Sequence, residues 1–174
     1  DPVSSAKAAL DAGADGITAM DSVGPVLRID IETGRPITGG GRGLGWLSGS
    51  AIKPITLRYV AEIAALTDKP IVGLGGVMTA EDAMEMLMAG ATAVGVCTAP
   101  ILKGIDHLAR LNEGVAGLMD RLSYDTIASV SRVSLPFLKD SAQVRVPGKF
   151  QAQALDLLRV DRIWSREPFC LGVK

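Results

Sequence analysis

A parallel α/β fold is predicted for this chain of 174 residues by three observations. Ile71-Val72-Gly73-Leu74 is a short, β-branched apolar run bounded by glycine, which reads as a buried strand. Thr79-Ala80-Glu81-Asp82 follows, with the N-cap and capping-box spacing that starts a helix. The phrases Ala12-Gly13-Ala14-Asp15-Gly16-Ile17 and Ala89-Gly90-Ala91-Thr92-Ala93 share one form, a glycine stop past a helix end and then an apolar strand. A repeated helix-then-strand unit makes strands run parallel, with helices outside the sheet. The closed version of this arrangement is the (β/α)₈ barrel, in which the loops after strands seven and eight commonly hold a phosphate. The consecutive strand ends Gly75-Gly76 and Cys97-Thr98 suit that role.

The elements follow in order. Residues 3–12 form an alanine-rich helix and 15–19 a strand, with Met20-Asp21-Ser22 at its carboxyl end. Leu27, Ile29 and Ile31 alternate with Arg28, Asp30 and Glu32, the period of a half-exposed strand. Glu32-Thr33-Gly34-Arg35 turns it, so residues 26–38 read as a hairpin inserted in a strand–helix loop. Gly39-Gly40-Gly41, with Gly43 and Gly45, reads as a flexible loop. Pro54 suits the first turn of a helix to about residue 67, burying Leu57, Val60, Ala61 and Ala64. Strand 71–74, helix 80–89 and strand 93–96 follow. An amphipathic helix then carries Ile105, Leu108, Leu111, Val115, Leu118 and Leu122 toward the core. Residues 1–122 thus form the α/β unit. Residues 123–174 form an extension, with a strand expected at 144–146 and a helix at 151–158.

Composition narrows the function classes. A net charge of −1 gives no electrostatic case for nucleic acid or an anionic membrane. No apolar run reaches the ~20 residues of a membrane span. Cys97 and Cys170 are the only cysteines and His107 the only histidine, too few for a closed zinc site or an iron–sulfur cluster. They also show no disulfide framework, so a cytoplasmic setting is expected. His107 reads as structural, and Met84, Met86 and Met88 as gap-filling or surface residues. Gly75 and Gly76 stand where a strand hands over to a helix. Backbone N–H groups there can approach a ligand closely, and the helix N-terminus favours an anion.

Ser48-Gly49-Ser50-Ala51-Ile52-Lys53-Pro54, Gly73-Leu74-Gly75-Gly76 and Ala89-Gly90-Ala91 with Val96-Cys97-Thr98-Ala99 stand in a specific order. Over roughly residues 6–122 this set resembles the dihydroorotate dehydrogenase family and the related barrel domain of dihydropyrimidine dehydrogenase. Cys97 stands where dihydroorotate enzymes usually carry glycine, closer to the dihydropyrimidine branch. The resemblance implies an FMN-binding (β/α)₈ barrel of which this chain supplies the second half. Ser48 and Gly49 would lie beside the flavin and its ribityl chain. Gly75 and Gly76 would donate backbone N–H groups to the FMN phosphate, with Cys97 and Thr98 completing the cradle. The implied reaction is hydride transfer between flavin and a C–C bond of a pyrimidine-like ring.

Asp21 and Ser22 match the family's substrate-binding positions, where asparagine followed by threonine or serine is usual. An ionised carboxylate accepts hydrogen bonds and cannot donate them, so Asp21 suits a ring N–H and repels a substrate carboxylate. The alternative for Asp21 is a loop cap that touches no substrate. The family's base, a cysteine or serine, and its flavin-side lysine are expected upstream of Asp1, as is the first half of a barrel of about 250 residues. A partner chain or a missing half, a homo-oligomer, and an iron–sulfur or flavin electron-transfer partner are the expected assemblies. No metal ligands are assigned. Two other readings stay open on the residues alone: a non-redox, phosphate-binding lyase or isomerase on the same barrel, and a non-catalytic partner subunit.

Overall fold

The computed structural model describes residues 1–39 and 41–138. The strand and helix expected at 144–146 and 151–158, and Cys170, lie outside the described residues. The first compact unit, Asp1–Leu138, runs α1 (Pro2–Asp11), β1 (Ile17–Ala19), β2 (Val23–Val26), β3 (Gly45–Leu47), α2 (Lys53–Ala64), β4 (Ile71–Leu74), α3 (Ala80–Ala89), β5 (Ala93–Gly95), α4 (Thr98–Lys103), α5 (His107–Leu122) and α6 (Ile127–Val130). The main sheet has the order β1-β4-β5, and both pairings are parallel. Ile17 pairs with Ile71 on one side of β4, and Val72 with Ala93 on the other. The parallel sheet read from the sequence is therefore present, with all its strand ends pointing one way.

Packing follows the period of each element. In β4, Ile71 and Gly73 are buried while Val72 and Leu74 are half-buried, as alternation in a strand requires. A Cβ on Gly73 would come within 3.3 Å of Met86 and 3.1 Å of Ala91, so α3 lies directly on that face. Val60, Ile63, Ala64, Ile71 and Met86 join Ala6 and Ala19 in one apolar core. Gly90 ends α3 at φ +116, and a Cβ there would collide with the Cβ of Ala64. The C-cap glycine thus serves both the left-handed turn and the close approach of α2 to α3.

The start of the β4–β5 pair depends on one side chain. The Ile71 N–H donates to the Thr92 hydroxyl at 3.1 Å, and that hydroxyl donates to the Ile71 carbonyl at 3.1 Å. Thr92 N–H donates to the same carbonyl at 2.8 Å.

Several elements differ from the sequence reading. β2 and β3 form a separate antiparallel pair that the glycine-rich composition around Gly45 concealed. The hairpin is present, with an Ile29–Pro36 bridge and Asp30 N–H bonded to the Arg35 carbonyl at 2.9 Å. Its apolar face is not half-buried as alternation suggested. Ile31 is 94% exposed, and Leu27, Ile29 and Ile37 are also exposed. The hairpin pairs with itself, Ile29 bridging Pro36 and Ile37 N–H donating to the Arg28 carbonyl, rather than with the main sheet. Ile105 is 70% exposed because it lies in the turn before α5, and only Leu111 and Leu118 of the expected stripe are fully buried. Composition gave no sign of the short helix α4 or of α6, which has a Thr126–Ser129 capping box. Residues 123–138 fold back on α3. Val130 is fully buried, Ser134 N–H donates to Met88 O at 3.2 Å, and Arg132 reaches Asp68 and the Thr67 carbonyl at 2.7 Å.

Thr92→Val should leave the buried Ile71 N–H without its acceptor and cost about 1–2 kcal/mol. Urea unfolding at neutral pH would measure it, with a lower midpoint and an unchanged slope expected.

Candidate functional site

At the carboxyl ends of β1, β4 and β5 lies a cleft of ≈ 230 Å³. Asp21, Ser22, Ser48, Gly49, Gly75, Gly76, Cys97 and Thr98, all the candidates from the sequence, line it. They arrive from three strand ends and from the 3₁₀ turn Gly49–Ile52 that precedes α2. One loop of the expected cradle meets the segment expected along the ribityl chain, since the Thr98 hydroxyl donates to the Ser48 hydroxyl at 3.1 Å. Gly49 has φ +76, and a Cβ there would lie 3.3 Å from Thr98 Cγ2.

Gly75 and Gly76 are buried with φ +128 and +87. A Cβ on Gly75 would run into the Met20 carbonyl oxygen, and one on Gly76 would lie 2.6 Å from Lys53 Cα and N. The glycine requirement at Gly76 therefore comes from the start of α2, not from space inside the cleft. Among the described residues, neither the Gly76 nor the Thr98 N–H meets a protein acceptor. Glycines that only this backbone shape tolerates, neighbouring N–H donors and two hydroxyls make a set suited to a phosphate. That donor set fits the terminal phosphate of FMN.

Residues that the sequence reading did not single out complete the walls. Trp46 on β3, 67% exposed, lines the cleft with Leu74, Val77, Val96 and Ile101. Gly24 makes room for the Trp46 ring, since a Cβ there would lie 2.7 Å from it. The Gly-x-Gly-Trp spacing of Gly43 to Trp46 was the available signal, and the glycines around it read as loop.

Behind the cleft, Lys53 bonds Asp82 at 2.6 Å and Glu85 at 2.9 Å. Those two carboxylates hold the Lys53 ammonium above its ordinary pKa, Asp82 contributing most. For Asp82, burial pushes the pKa up. The Lys53 ammonium and the Met78 and Thr79 N–H groups outweigh it and hold the carboxyl below the usual carboxylate range. His107 Nε2 sits 3.0 Å from the Met78 carbonyl, the structural role expected of it.

Parallel strands covered by helices, with a glycine-lined cleft beyond the strand ends, define an α/β protein of the kind that places its site at the carboxyl edge of the sheet. The family model described as dihydroorotate dehydrogenase matches residues 1–119. The chain belongs to the dihydroorotate dehydrogenase family. It is similar to the catalytic subunit of dihydroorotate dehydrogenase B (NAD(+)) from Methanopyrus kandleri, with 41% identity over 133 residues, 75% of this chain and 40% of that protein. The namesake subunit of Bacillus caldolyticus is 50% identical over 100 residues, 57% of this chain and 31% of that protein. Dihydroorotate dehydrogenase A (fumarate) of Lactobacillus delbrueckii subsp. bulgaricus is 44% identical over 99 residues, 57% of this chain and 31% of that protein. The chain spans 40% or less of the length of these relatives.

The Lys53–Asp82 pair carries a pH signature. A carboxyl whose pKa is lower folded than unfolded adds stability above its unfolded pKa and loses it as pH falls through the folded value. A raised ammonium adds stability below its unfolded pKa of about 10.4 and loses it as pH rises through the folded value. Asp82→Asn should therefore cost about 1–2 kcal/mol between about pH 4 and 10, discounted for partial exposure. The difference from wild type should shrink below that window, as Asp82 itself protonates. Denaturant unfolding of both proteins across pH would show it.

Proposed function

We propose that this chain is the cofactor-holding second half of a (β/α)₈ barrel that binds FMN and oxidises or reduces a C–C bond of a pyrimidine-like ring. The single observation that carries this reading is the convergence of six candidate cofactor residues on one cleft, in a chain of the dihydroorotate dehydrogenase family. The half-barrel assignment is supported by the main sheet, where among the described residues β1 and β5 each have one neighbour and so leave an edge for further strands. The catalytic base and the flavin-side lysine then belong to the other half. The names of the relatives as catalytic subunits support a partner chain; that it is an iron–sulfur or flavin electron-transfer protein is part of the proposal. No helix among the described residues is long and apolar enough to cross a membrane.

When bound, FMN supplies the hydride chemistry, and the protein supplies position and electrostatics. In this reading Gly75, Gly76, Cys97 and Thr98 hold the phosphate through backbone N–H groups. Fixed neutral donors can bind a dianion without a lysine in the cleft. Ser48 and Gly49 lie along the ribityl chain, and Thr98 orients Ser48 through the 3.1 Å bond between their hydroxyls. Asp21, exposed in the cleft wall, accepts from a ring N–H. Its charge opposes a second carboxylate nearby, so the favoured substrate is a ring without an acidic substituent.

Absorbance near ~450 nm in the purified intact protein, with FMN released on denaturation, is the first test. Gly76→Val should lose at least about tenfold in FMN affinity through displaced charge-assisted hydrogen bonds. Thr98→Ala should lose about fivefold, because the backbone donor stays. Wild-type affinity in Gly76→Val would remove the cradle from this position. Asp21→Asn should raise kcat/KM on a carboxylate-bearing dihydropyrimidine, relative to the neutral ring, by about tenfold, the effect of relieving one like-charge contact. Steady-state assays of both substrates would measure that ratio.

A further inference from the structure

Lys53 stands outside the cleft, and neither the cradle nor the ring contacts use it. Its surroundings are nevertheless built around the turn that presents Gly75-Gly76. The Asp82 oxygen that faces away from Lys53 accepts from the Met78 and Thr79 N–H groups, both at 2.9 Å. Asp82 N–H returns a bond to the Thr79 hydroxyl at 3.2 Å. One carboxylate therefore both caps α3 and grips the turn that continues from Gly76. Lys53 ties that carboxylate to the first residue of α2, at 2.6 Å, with the Lys53 side chain 25% and the Asp82 side chain 13% exposed. The Met78 peptide is held from its other side too, because its carbonyl accepts from Lys103 Nζ at 2.9 Å. The backbone of Gly76 lies against Lys53 Cα and N so closely that no Cβ fits between them. The residue that the turn rests on is thus the residue whose side chain clamps the turn's far end.

We propose that Lys53 is a positioning residue for the phosphate cradle, its ion pair with Asp82 fixing the turn through Met78 and Thr79 so that the N–H groups of Gly75 and Gly76 keep a common aim. The inference rests on the flavin-phosphate reading of the cleft. Backbone donors cannot reorient as side chains do, so their hold on a phosphate falls steeply once the turn shifts. A salt bridge that only joined α2 to α3 would affect every ligand of the cleft alike. A clamp on the turn affects the phosphate alone.

Riboflavin separates the two cases, since it is FMN without the phosphate. Dissociation constants for FMN and riboflavin would be measured by flavin-fluorescence quenching in the intact wild-type protein and in Lys53→Met, Lys53→Arg and Asp82→Asn. Lys53→Met is expected to weaken FMN about tenfold, the loss of about one charge-assisted bond, with riboflavin nearly unchanged. Lys53→Arg should restore most of the preference for FMN. An unchanged FMN-to-riboflavin ratio in Lys53→Met, or equal loss of both ligands, would overturn the role of Lys53 while leaving the flavin reading intact. Should Lys53→Met fail to fold, Asp82→Asn keeps an oxygen for Met78 and Thr79 while dropping the charge. A preserved ratio there overturns the proposal equally. A wild-type protein with no preference for FMN over riboflavin would reject the phosphate reading and this inference with it.

Discussion

The central strand β4, paired on both sides, is the constraint on which the rest of the unit depends. Ile71–Leu74 is short, and each of its residues is committed in register to β1, to β5 or to both. Because both neighbours run parallel to it, neither can follow by a tight turn, and each connection must travel back along the outside. α2 and α3 occupy those return paths and meet over Ile71, Val60 and Met86. The consequence for the cleft is direct. Three strands that share a direction end at one level, so loops far apart in sequence open on a single space.

Electrostatically, the cleft and the region behind it divide the work. The cleft presents backbone donors and hydroxyls, with Asp21 as the one acidic side chain in its wall among the described residues. The charged groups that shape it, Lys53, Asp82, Glu85 and Lys103, are spent on one another or on the backbone. A mobile lysine in the cleft would attract anions of many shapes. Fixed N–H groups recognise a phosphate by direction, which favours one pose over many.

Local grammar made much of this legible. The Thr79–Asp82 capping box, the Gly90 stop and the bounds of β4 and α3 follow from chemistry within four residues, and the structure has them where the sequence places them. Gly75 and Gly76 were legible for a related reason, since glycines at strand ends advertise their backbone role, whereas Ser48, Gly49, Asp21 and Ser22 entered only through the family resemblance. What stayed hidden is non-local. Trp46 reads as an isolated aromatic among glycines until β2 and β3 pair. Lys53 and Asp82 are 29 residues apart, and only packed helices bring them together. The hairpin misled because alternation reports that one face is apolar and says nothing about whether a neighbour covers it. Ile105 misled because a helical stripe extrapolates past the true helix start.

The hydroxyl bond between Ser48 and Thr98 spans 50 residues, a stretch that contains both β4 and β5. Contacts of that separation form late, since the chain between them must first be ordered. Helix α3 with its caps can form from neighbouring residues alone, whereas the cleft exists only once β1, β4 and β5 share a sheet. The cleft therefore depends on the assembled sheet and is lost when that sheet comes apart. Any molecule held there draws its binding energy from the finished architecture alone, so occupancy protects the whole unit rather than one loop. In a cell, a supply of the occupant would govern how much of this protein survives proteolysis as well as how much of it works.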